Sequence, residues 1–244
     1  MWRTAQQSAV PEETLVFAIG DIHGHADLLD RLMDLMEREA AAARGKAVIR
    51  VFLGDYVDRG PDSAGVIERL SHLRGDTASV FLRGNHEQVL LEFLKNPRRY
   101  ESWRDFGADE TLLSYNVAPP MFDDEKAYAD TRDALLREMP THHYEFLQST
   151  TFSHAVGDYL FVHAGIRPGV FLSEQKPHDM MWIRDEFLTS DVQFEKVVVH
   201  GHTPREKPEI RANRINVDTW AYKTGCLTAL MLNGTRRRFL TANR

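Results

Sequence analysis

The chain has little cysteine, no long apolar stretch and no excess of basic residues. Cys226 is the only cysteine among 244 residues, so an intramolecular disulfide is excluded, as is usual for proteins of a reducing cytoplasm. No apolar run approaches the roughly 20 residues that a bilayer-spanning helix needs, and the start of the chain is too polar for a secretory signal. A net charge of −6 disfavours a nucleic-acid-binding protein. We therefore expect a cytoplasmic protein without nucleic-acid or membrane partners, and the oligomeric state stays open.

The first part of the chain alternates predicted strands with predicted helices. A hydrophobic content of 43% and a charged content of 27% are ordinary for a folded domain, and we predict one domain over residues 14–244 after a flexible segment over residues 1–13. Short apolar runs predict strands, and apolar residues at helical spacing predict helices. The strands are expected over residues 15–19, 47–53 and 79–82, and the helices over residues 25–43, 62–73 and 87–95. This alternation is typical of a parallel sheet with helices on its faces.

The second part of the chain has a different composition. Residues 96–148 are rich in helix formers and aromatic residues, and we interpret them as a helical insertion or cap. A hairpin turning at Gly157 is expected after it, followed by further strands. These strands are predicted over residues 150–156, 158–162, 196–199, 213–217, 226–232 and 237–240. The pattern indicates a second sheet packed on the first.

Three short motifs combine metal-binding side chains with glycines. They are Gly-Asp-Ile-His-Gly at residues 20–24, Gly-Asp-Tyr-Val-Asp-Arg-Gly at residues 54–60 and Gly-Asn-His-Glu at residues 84–87. Each follows the carboxyl end of a predicted strand, where open α/β sheets place their ligand sites. His163 and His202 follow apolar runs in the second part of the chain. Five separated segments thus supply one predicted two-metal site, which indicates hydrolysis of a phosphate ester.

The predicted ligands divide between two ions that share one carboxylate. Asp21 and His23 are two residues apart, so an extended backbone points both side chains to the same side. Asp55 follows the next strand and can bridge two cations through its two oxygens. We predict one ion held by Asp21, His23 and Asp55, and a second held by Asp55, Asn85, His163 and His202. Such mixed nitrogen and oxygen ligands suit two divalent ions, with Mn²⁺ as first choice and Fe or Zn as alternatives.

Further residues are predicted to assist the chemistry. Two ions roughly 3.5–4 Å apart can hold a hydroxide for in-line attack on phosphorus. His86 neighbours Asn85 and should lie beside the metals, where it can act as general acid on the leaving group. Asp58 is expected to orient His86 and favour its charged form. Arg59 can present a bidentate fork to the phosphate, and Arg184 is a second candidate for that role.

These motifs resemble those of the calcineurin-like metallophosphoesterase superfamily. The resemblance extends from about residue 15 to the end of the chain, and it is closer to the phosphoprotein phosphatase branch with its bacterial serine/threonine protein phosphatases. It implies an α/β fold, a four-layer α/β/β/α sandwich, with a dinuclear site that hydrolyses phosphomonoesters. It also implies the roles given above: ligands at Asp21, His23, Asp55, Asn85, His163 and His202, catalysis by His86 with Asp58, and phosphate binding by Arg59 and Arg184.

Two residues favour the phosphoprotein phosphatase branch over the related nucleotide hydrolases. Symmetrical diadenosine tetraphosphate hydrolases look similar but usually lack a residue like Asp58 and have Asp in place of Glu87. We therefore expect a serine/threonine protein phosphatase acting on a phosphorylated protein or peptide, with activity on phosphotyrosine left open. Pro204 stands where many related nucleases have a second histidine, which disfavours a nuclease.

Two alternatives remain. The first is a hydrolase of diadenosine tetraphosphate or another small phosphorylated molecule, for which Trp220, Trp103 and Tyr115 are candidate contacts to a base. Trp220 stands where bacterial relatives usually have glycine, and it either narrows the site mouth or packs elsewhere. The second alternative is a non-catalytic phosphate-binding or scaffold protein, which the complete ligand set disfavours.

Overall fold

The computed structural model of the chain describes residues 8–244, and ten strands and ten α-helices lie within them. The strands are β1 (Thr14–Ile19), β2 (Ala47–Phe52), β3 (Ser79–Phe81), β4 (Ser153–Val156), β5 (Tyr159–Val162), β6 (Val197–His200), β7 (Glu209–Ile210), β8 (Arg214–Asn216), β9 (Cys226–Asn233) and β10 (Arg236–Asn243). The helices are α1 (Ala26–Ala42), α2 (Ser63–His72), α3 (Asn85–Lys95), α4 (Tyr100–Trp103), α5 (Ala108–Ser114), α6 (Glu125–Glu138), α7 (Thr141–Ser149), α8 (Pro177–Trp182), α9 (Asp185–Leu188) and α10 (Ala221–Thr224).

The strands form two five-stranded sheets. The first has the order β10-β9-β1-β2-β3, in which β1, β2 and β3 are parallel and β9 and β10 are antiparallel to their neighbours. The second has the order β4-β5-β6-β8-β7, with β5, β6 and β8 parallel. Because parallel strands end at one edge, the loops that follow them converge.

The apolar side chains divide into three layers of core. The layer between the two sheets contains Phe161, Val199 and Ile215 of the second sheet packed against residues such as Val16 of the first. A larger layer lies between the first sheet and the helices α1, α2 and α3 together with the helical residues that follow them. A third layer lies under α8 and α9 on the outer face of the second sheet. The predicted four-layer α/β/β/α sandwich with its helical insertion is therefore confirmed.

The local sequence explains the first elements well. Strand β1 is buried along almost its whole length, as expected of a central strand covered on both faces. Helix α1 buries Leu28, Leu29, Leu32 and Met36 on one side. Helix α2 begins after Asp62, whose side chain accepts the backbone N–H of Gly65 and satisfies one free donor of the first turn.

Three details of the second part differ from the sequence prediction. Strands β9 and β10 join the first sheet rather than the second, because β9 pairs with β1. Helices α8 and α9 were not predicted, since six and four residues are too few for a helical period to be recognised. The two-residue strand β7 was missed for the same reason.

The beginning of the chain packs against the first sheet before β1 starts. Val10 is buried, and its N–H donates to the carbonyl of Gly234 at 3.1 Å. Of the flexible segment predicted over residues 1–13, residues 1–7 lie outside the described residues. Within residues 8–244 no helix is long and apolar enough to cross a membrane.

The layer between the sheets should contribute strongly to the stability of the fold. Phe161 is fully buried there, so Phe161→Ala should lower the free energy of unfolding by about 3–5 kcal/mol in urea denaturation. Phe171→Ala is the matched control, because Phe171 is 66% exposed and its loss should change the free energy by less than about 0.5 kcal/mol. Equal effects of the two substitutions would contradict the sheet-on-sheet core.

Candidate metal site

The residues predicted for the site come from loops at the carboxyl ends of five strands. Asp21 and His23 follow β1, and Asp55 with Asp58 and Arg59 follows β2. Asn85 and His86 follow β3 and open α3, while His163 follows β5 and His202 follows β6. Arg184 lies between α8 and α9 on the second sheet's side. The two sheets therefore bring together side chains that are far apart in the sequence.

The backbone of the site is strained. Seven non-glycine residues between positions 8 and 244 have a positive φ angle, and five of them belong to the site. A left-handed backbone costs a residue with a side chain about 1–3 kcal/mol, and such residues cluster at functional sites. The five are His23 (φ 46°), Asp55 (φ 53°), Asp58 (φ 70°), Arg59 (φ 69°) and His202 (φ 61°).

The carboxylate of Asp55 faces both halves of the site. Its Oδ2 lies 3.7 Å from Nε2 of His23, and its Oδ1 lies 3.4 Å from Nε2 of His163. Nε2 of His163 also lies 3.0 Å from Oδ1 of Asn85 and 3.1 Å from Nδ1 of His202. Asp55 therefore lies between the two groups of predicted ligands, and its role as a bridging ligand stays a prediction.

Two histidines have their tautomer set by a backbone carbonyl. Nδ1 of His23 lies 2.9 Å from the carbonyl oxygen of Val57, and Nδ1 of His163 lies 2.9 Å from that of Leu53. When each Nδ1–H donates to its carbonyl, each Nε2 carries a lone pair directed into the site. Metal-binding histidines usually have such an outer hydrogen bond, which orients the ring.

The donor atoms of the site fit divalent cations. Oδ1 of Asp21 is buried and has no hydrogen-bond partner among the residues described, although such atoms are usually paired. Its Oδ2 accepts the N–H of His202 at 2.9 Å, which fixes the carboxylate. A Cβ atom on Gly201 would come within 2.0 Å of the free Oδ1, so only glycine leaves that oxygen accessible. Imidazole nitrogens, an amide oxygen and carboxylate oxygens thus converge, as expected for metal ligands.

Burial strongly perturbs the acidic residues of the site. It raises the pKa of Asp218 to about 6 and, with help from the negative charges of Asp218 and Asp55, raises that of Asp21 well above its usual range. Burial also lowers the pKa of His23 to about 3. Burial alone would raise the pKa of Asp55. The neighbouring His163, His86 and His23 outweigh this effect and hold that pKa well below its usual range. So much buried negative charge calls for a positively charged partner.

His86 is held by a buried network centred on Asp58. Oδ2 of Asp58 lies 2.7 Å from Nδ1 of His86, and Asp58 also accepts from Trp103 Nε1 at 3.0 Å and Thr111 Oγ1 at 2.6 Å. Burial would lower the pKa of His86, but Asp55 and Asp58 outweigh it and raise that pKa. Nε2 of His86 remains available, 3.7 Å from Oδ2 of Asp55. The arrangement orients His86 as the sequence predicted, with Trp103 and Thr111 as additional partners that no motif indicated.

Glu87 has a structural position below the site. Its carboxylate accepts the backbone N–H groups of Asp55 at 2.8 Å, Tyr56 at 2.7 Å and Gly84 at 2.9 Å. The side chain is fully buried, and burial raises its pKa to about 7. Glu87 therefore joins the loop after β2 to the start of α3 and cannot contact a substrate.

A cavity of about 340 Å³ opens above these residues. Arg59 and Arg184 line it, both are exposed, and neither forms a salt bridge with a residue in the described range. Three partly buried aromatic rings complete its wall, and we call them the aromatic collar. The collar consists of Phe106, Trp182 and Tyr222.

The collar packs on the histidines of the site. Phe106 meets the ring of His86 edge-on at 5.2 Å between centroids, and Tyr222 meets that of His23 at 5.2 Å. Trp182 lies 6.4 Å from the ring of His202. The guanidinium of Arg59 lies 5.7 Å from the Tyr222 ring centroid, so charge and aromatic surface adjoin.

The sequence-based prediction that Trp103, Tyr115 and Trp220 are candidate contacts to a base was wrong. Trp103 is fully buried beside Asp58, and the hydroxyl of Tyr115 bonds to His143. Among the described residues, the cavity wall includes Tyr222 but not Trp220. Trp220 instead packs against Lys223, whose Nζ lies 3.9 Å from the ring centroid. Its φ of 61° explains why glycine would suit this position.

Curated relatives match most of the chain. The asymmetrical bis(5'-nucleosyl)-tetraphosphatase PrpE of Halalkalibacterium halodurans is 27% identical over 223 residues, covering 87% of each chain. The protein of the same name from Bacillus subtilis is 26% identical and covers 89% of this chain and 88% of its own. A symmetrical bis(5'-nucleosyl)-tetraphosphatase of Dechloromonas aromatica is 29% identical but covers only 62% of this chain and 44% of its own.

Solved structures share the fold at low sequence identity. One described provisionally as a diadenosine tetraphosphatase has a TM-score of 0.64 at 19% identity, covering 96% of this chain and 98% of its own. A cold-active protein-tyrosine phosphatase from a psychrophilic Shewanella has a TM-score of 0.55 at 18% identity, covering 98% and 85%. These likenesses support the fold alone.

The relatives overturn the prediction of a serine/threonine protein phosphatase and of a phosphorylated protein or peptide as its substrate. Several curated proteins that match over most of their length are named as nucleotide tetraphosphatases. The physical reason for the error lies in Asp58 and Glu87, which had decided the branch. Asp58 holds His86, and Glu87 holds backbone N–H groups, so neither residue contacts the space where a substrate would bind.

The broader prediction from the motifs is confirmed. The family model described as calcineurin-like phosphoesterase matches residues 14–227, which span every loop of the metal site. Hydrolysis of phosphoester bonds and a site built for divalent metal ions follow from that membership and from the convergent His and Asp side chains. The chain belongs to the calcineurin-like phosphoesterase family.

Proposed function

We propose that the chain is a metal-dependent hydrolase that cleaves dinucleoside tetraphosphates asymmetrically. The observation that carries the proposal is the cavity, which joins the predicted metal-binding side chains to the aromatic collar and to two arginines that form no salt bridge with a described residue. Its volume of about 340 Å³ lies within the usual range for small-molecule sites. The names of the relatives support the same substrate class. The catalytic domain would be the single domain from residue 14 onward, and a cytoplasmic location stays a prediction.

The metal-binding side chains would hold two divalent ions, divided as the sequence predicted. Asp21, His23 and Asp55 would hold one ion, and Asp55, Asn85, His163 and His202 the other. When bound, such ions act as Lewis acids on phosphoryl oxygens and lower the pKa of water to supply a nucleophile. Mn²⁺ is our first choice, with Fe and Zn as alternatives, because nitrogen and oxygen ligands accept several first-row ions.

The remaining polar residues would bind and protonate the substrate. Arg59 and Arg184 are exposed at the cavity wall and would bind the anionic phosphate chain through bidentate contacts. His86, oriented by Asp58, would give its Nε2 proton to the departing oxygen. In a polyphosphate that oxygen belongs to a phosphate, which leaves more readily than an alkoxide, so less help from His86 is needed than for a simple alkyl ester.

The aromatic collar would bind a nucleobase. Half-buried rings beside a phosphate-binding site offer a base a stacking surface, and a stacked base contributes about 1–3 kcal/mol. Tyr222 is the best placed of the three, because Arg59 adjoins its ring and can hold a phosphate next to the stacked base.

Product analysis tests the reaction directly. The Mn²⁺-loaded protein should convert diadenosine tetraphosphate to ATP and AMP in equal amounts, measured by anion-exchange chromatography. His86→Asn is the control, since it should reduce turnover by a factor near the lower end of the usual range of about 10²–10⁴ for a general acid while the metal content stays the same. Two molecules of ADP per substrate would indicate symmetrical cleavage, and no cleavage at all would refute the proposed substrate class.

The collar can be tested through substrate preference. Tyr222→Ala should lower kcat/KM for diadenosine tetraphosphate about 5–150-fold relative to p-nitrophenyl phosphate, because only the dinucleotide has a base to stack. Tyr222→Phe should keep most of the preference, since the ring remains. An equal loss on both substrates in Tyr222→Ala would contradict base stacking at this residue.

The buried position of Glu87 indicates that it has no influence on substrate choice, and this expectation can be tested. Glu87→Asp shortens the side chain, leaves at least one buried N–H unpaired at a cost of about 1–3 kcal/mol, and should lower Tm. The ratio of kcat/KM for diadenosine tetraphosphate to that for p-nitrophenyl phosphate should change by less than about threefold. A large change in this ratio with an unaltered Tm would make Glu87 a determinant of substrate choice.

A further inference from the structure

A second group of potential metal ligands lies outside the cavity, where α7 packs on α2. Nε2 of His142 lies 2.9 Å from Oε2 of Glu68, and Nε2 of His143 lies 2.6 Å from the same oxygen. His72 is adjacent, with its Nδ1 3.5 Å from Oε1 of Glu68 and its ring 6.1 Å from that of His142. We call Glu68, His142 and His143 the α2–α7 cluster.

The cluster has the chemistry of a zinc-type site. Two imidazole nitrogens and a carboxylate oxygen lie within 4.8 Å of one another, and zinc is commonly held by three such ligands and a water. His142 is half exposed, which gives an ion access from solvent, while His143 is buried and held in place.

Tyr115 supplies the outer contact that metal-binding histidines usually have. Its hydroxyl lies 2.9 Å from Nδ1 of His143. Burial raises the pKa of Tyr115, so the hydroxyl keeps its proton. A hydroxyl can donate or accept, and it can therefore stabilise the tautomer of His143 in which Nδ1 carries the proton and Nε2 is free for a metal.

The simpler interpretation is a hydrogen-bond network without an ion. Glu68 would then accept one hydrogen bond from each imidazole, at the positively polarised first turn of α7. The two interpretations differ in what the imidazole nitrogens face. Nδ1 of His72 lies 2.7 Å from the backbone carbonyl oxygen of Glu68, so His72 is accounted for in both interpretations. Nε2 of His142 and Nε2 of His143 both face one carboxylate oxygen, and a cation placed among these three atoms would replace the two hydrogen bonds.

We propose that Glu68, His142 and His143 form a further binding site for a divalent transition-metal ion of the zinc type, separate from the site in the cavity. The ion would join α7 to α2 across residues that are more than 70 positions apart in the chain. At its other end, α2 begins with Ser63, whose Oγ accepts the N–H of Asp58. The proposed ion would therefore stabilise the helix that supports the loop carrying Asp58 and Arg59.

Zn²⁺ binding to the full-length protein tests the proposal. Asp55→Asn removes the ligand shared by both ions of the cavity site, so in this variant the α2–α7 cluster should account for one equivalent of Zn²⁺ in equilibrium dialysis. Adding His142→Gln should remove that equivalent or weaken its Kd by more than about tenfold, since loss of even an outer partner costs 10–100-fold. His154→Gln is the matched control, because His154 lies on β4 away from both sites.

The wild-type protein gives an independent measurement. With the cavity site saturated by Zn²⁺, wild type should hold one equivalent more than Glu68→Gln or His142→Gln, and both substituted side chains are exposed enough to be replaced without unfolding. Further Zn²⁺ should raise Tm in wild type and His154→Gln but not in these two variants. Equal zinc content and equal Tm shifts in all four proteins would overturn the proposal and leave a hydrogen-bond network.

Discussion

The carboxylate of Glu87 connects the loops on which the metal site depends. It accepts N–H groups from the residue that bridges the predicted ions, from the residue after it, and from the glycine that precedes Asn85. The loop after β2 has a left-handed backbone at Asp55, a conformation that must be held by its surroundings. The same loop accepts the N–H groups of Ile22 and His23 through the carbonyl of Asp55. One buried acid thus links three strand ends into a single rigid floor.

That floor concentrates buried acidic groups in a small volume. Four of the buried carboxyl groups belong to Asp21, Asp55, Asp58 and Asp218, and Glu87 adds a fifth. The two arginines nearest to them are exposed at the cavity wall. Buried carboxylates without positive partners destabilise a fold, so bound cations would contribute to its stability as well as to its chemistry. The backbone strain and the charge have the same origin, since both result from directing many ligands at one small volume.

The sequence was sufficient to predict the fold class and the position of the metal-binding side chains, because both depend on local signals. Gly-Asp-Ile-His-Gly and its counterparts follow apolar strands, and parallel strands bring their ends together. The network around His86 was only half predictable: Asp58 lies in a motif, whereas Trp103 and Thr111 come from the helical insertion. Helices α8 and α9 were missed because their few residues carry no period.

The composition of the aromatic collar explains why the motifs alone could not predict the substrate class. Phe106, Trp182 and Tyr222 come from three segments with no shared pattern, and only the packing of two sheets brings them to one cavity. The motif residues would act at the phosphorus centre, whose chemistry is common to phosphoproteins and dinucleotides, or support the loops beneath it. What distinguishes the substrates is the group beyond the phosphate, and the residues that would contact it line the cavity wall. Under the proposed function, selectivity would therefore rest on cavity-wall residues that belong to none of the metal-binding motifs.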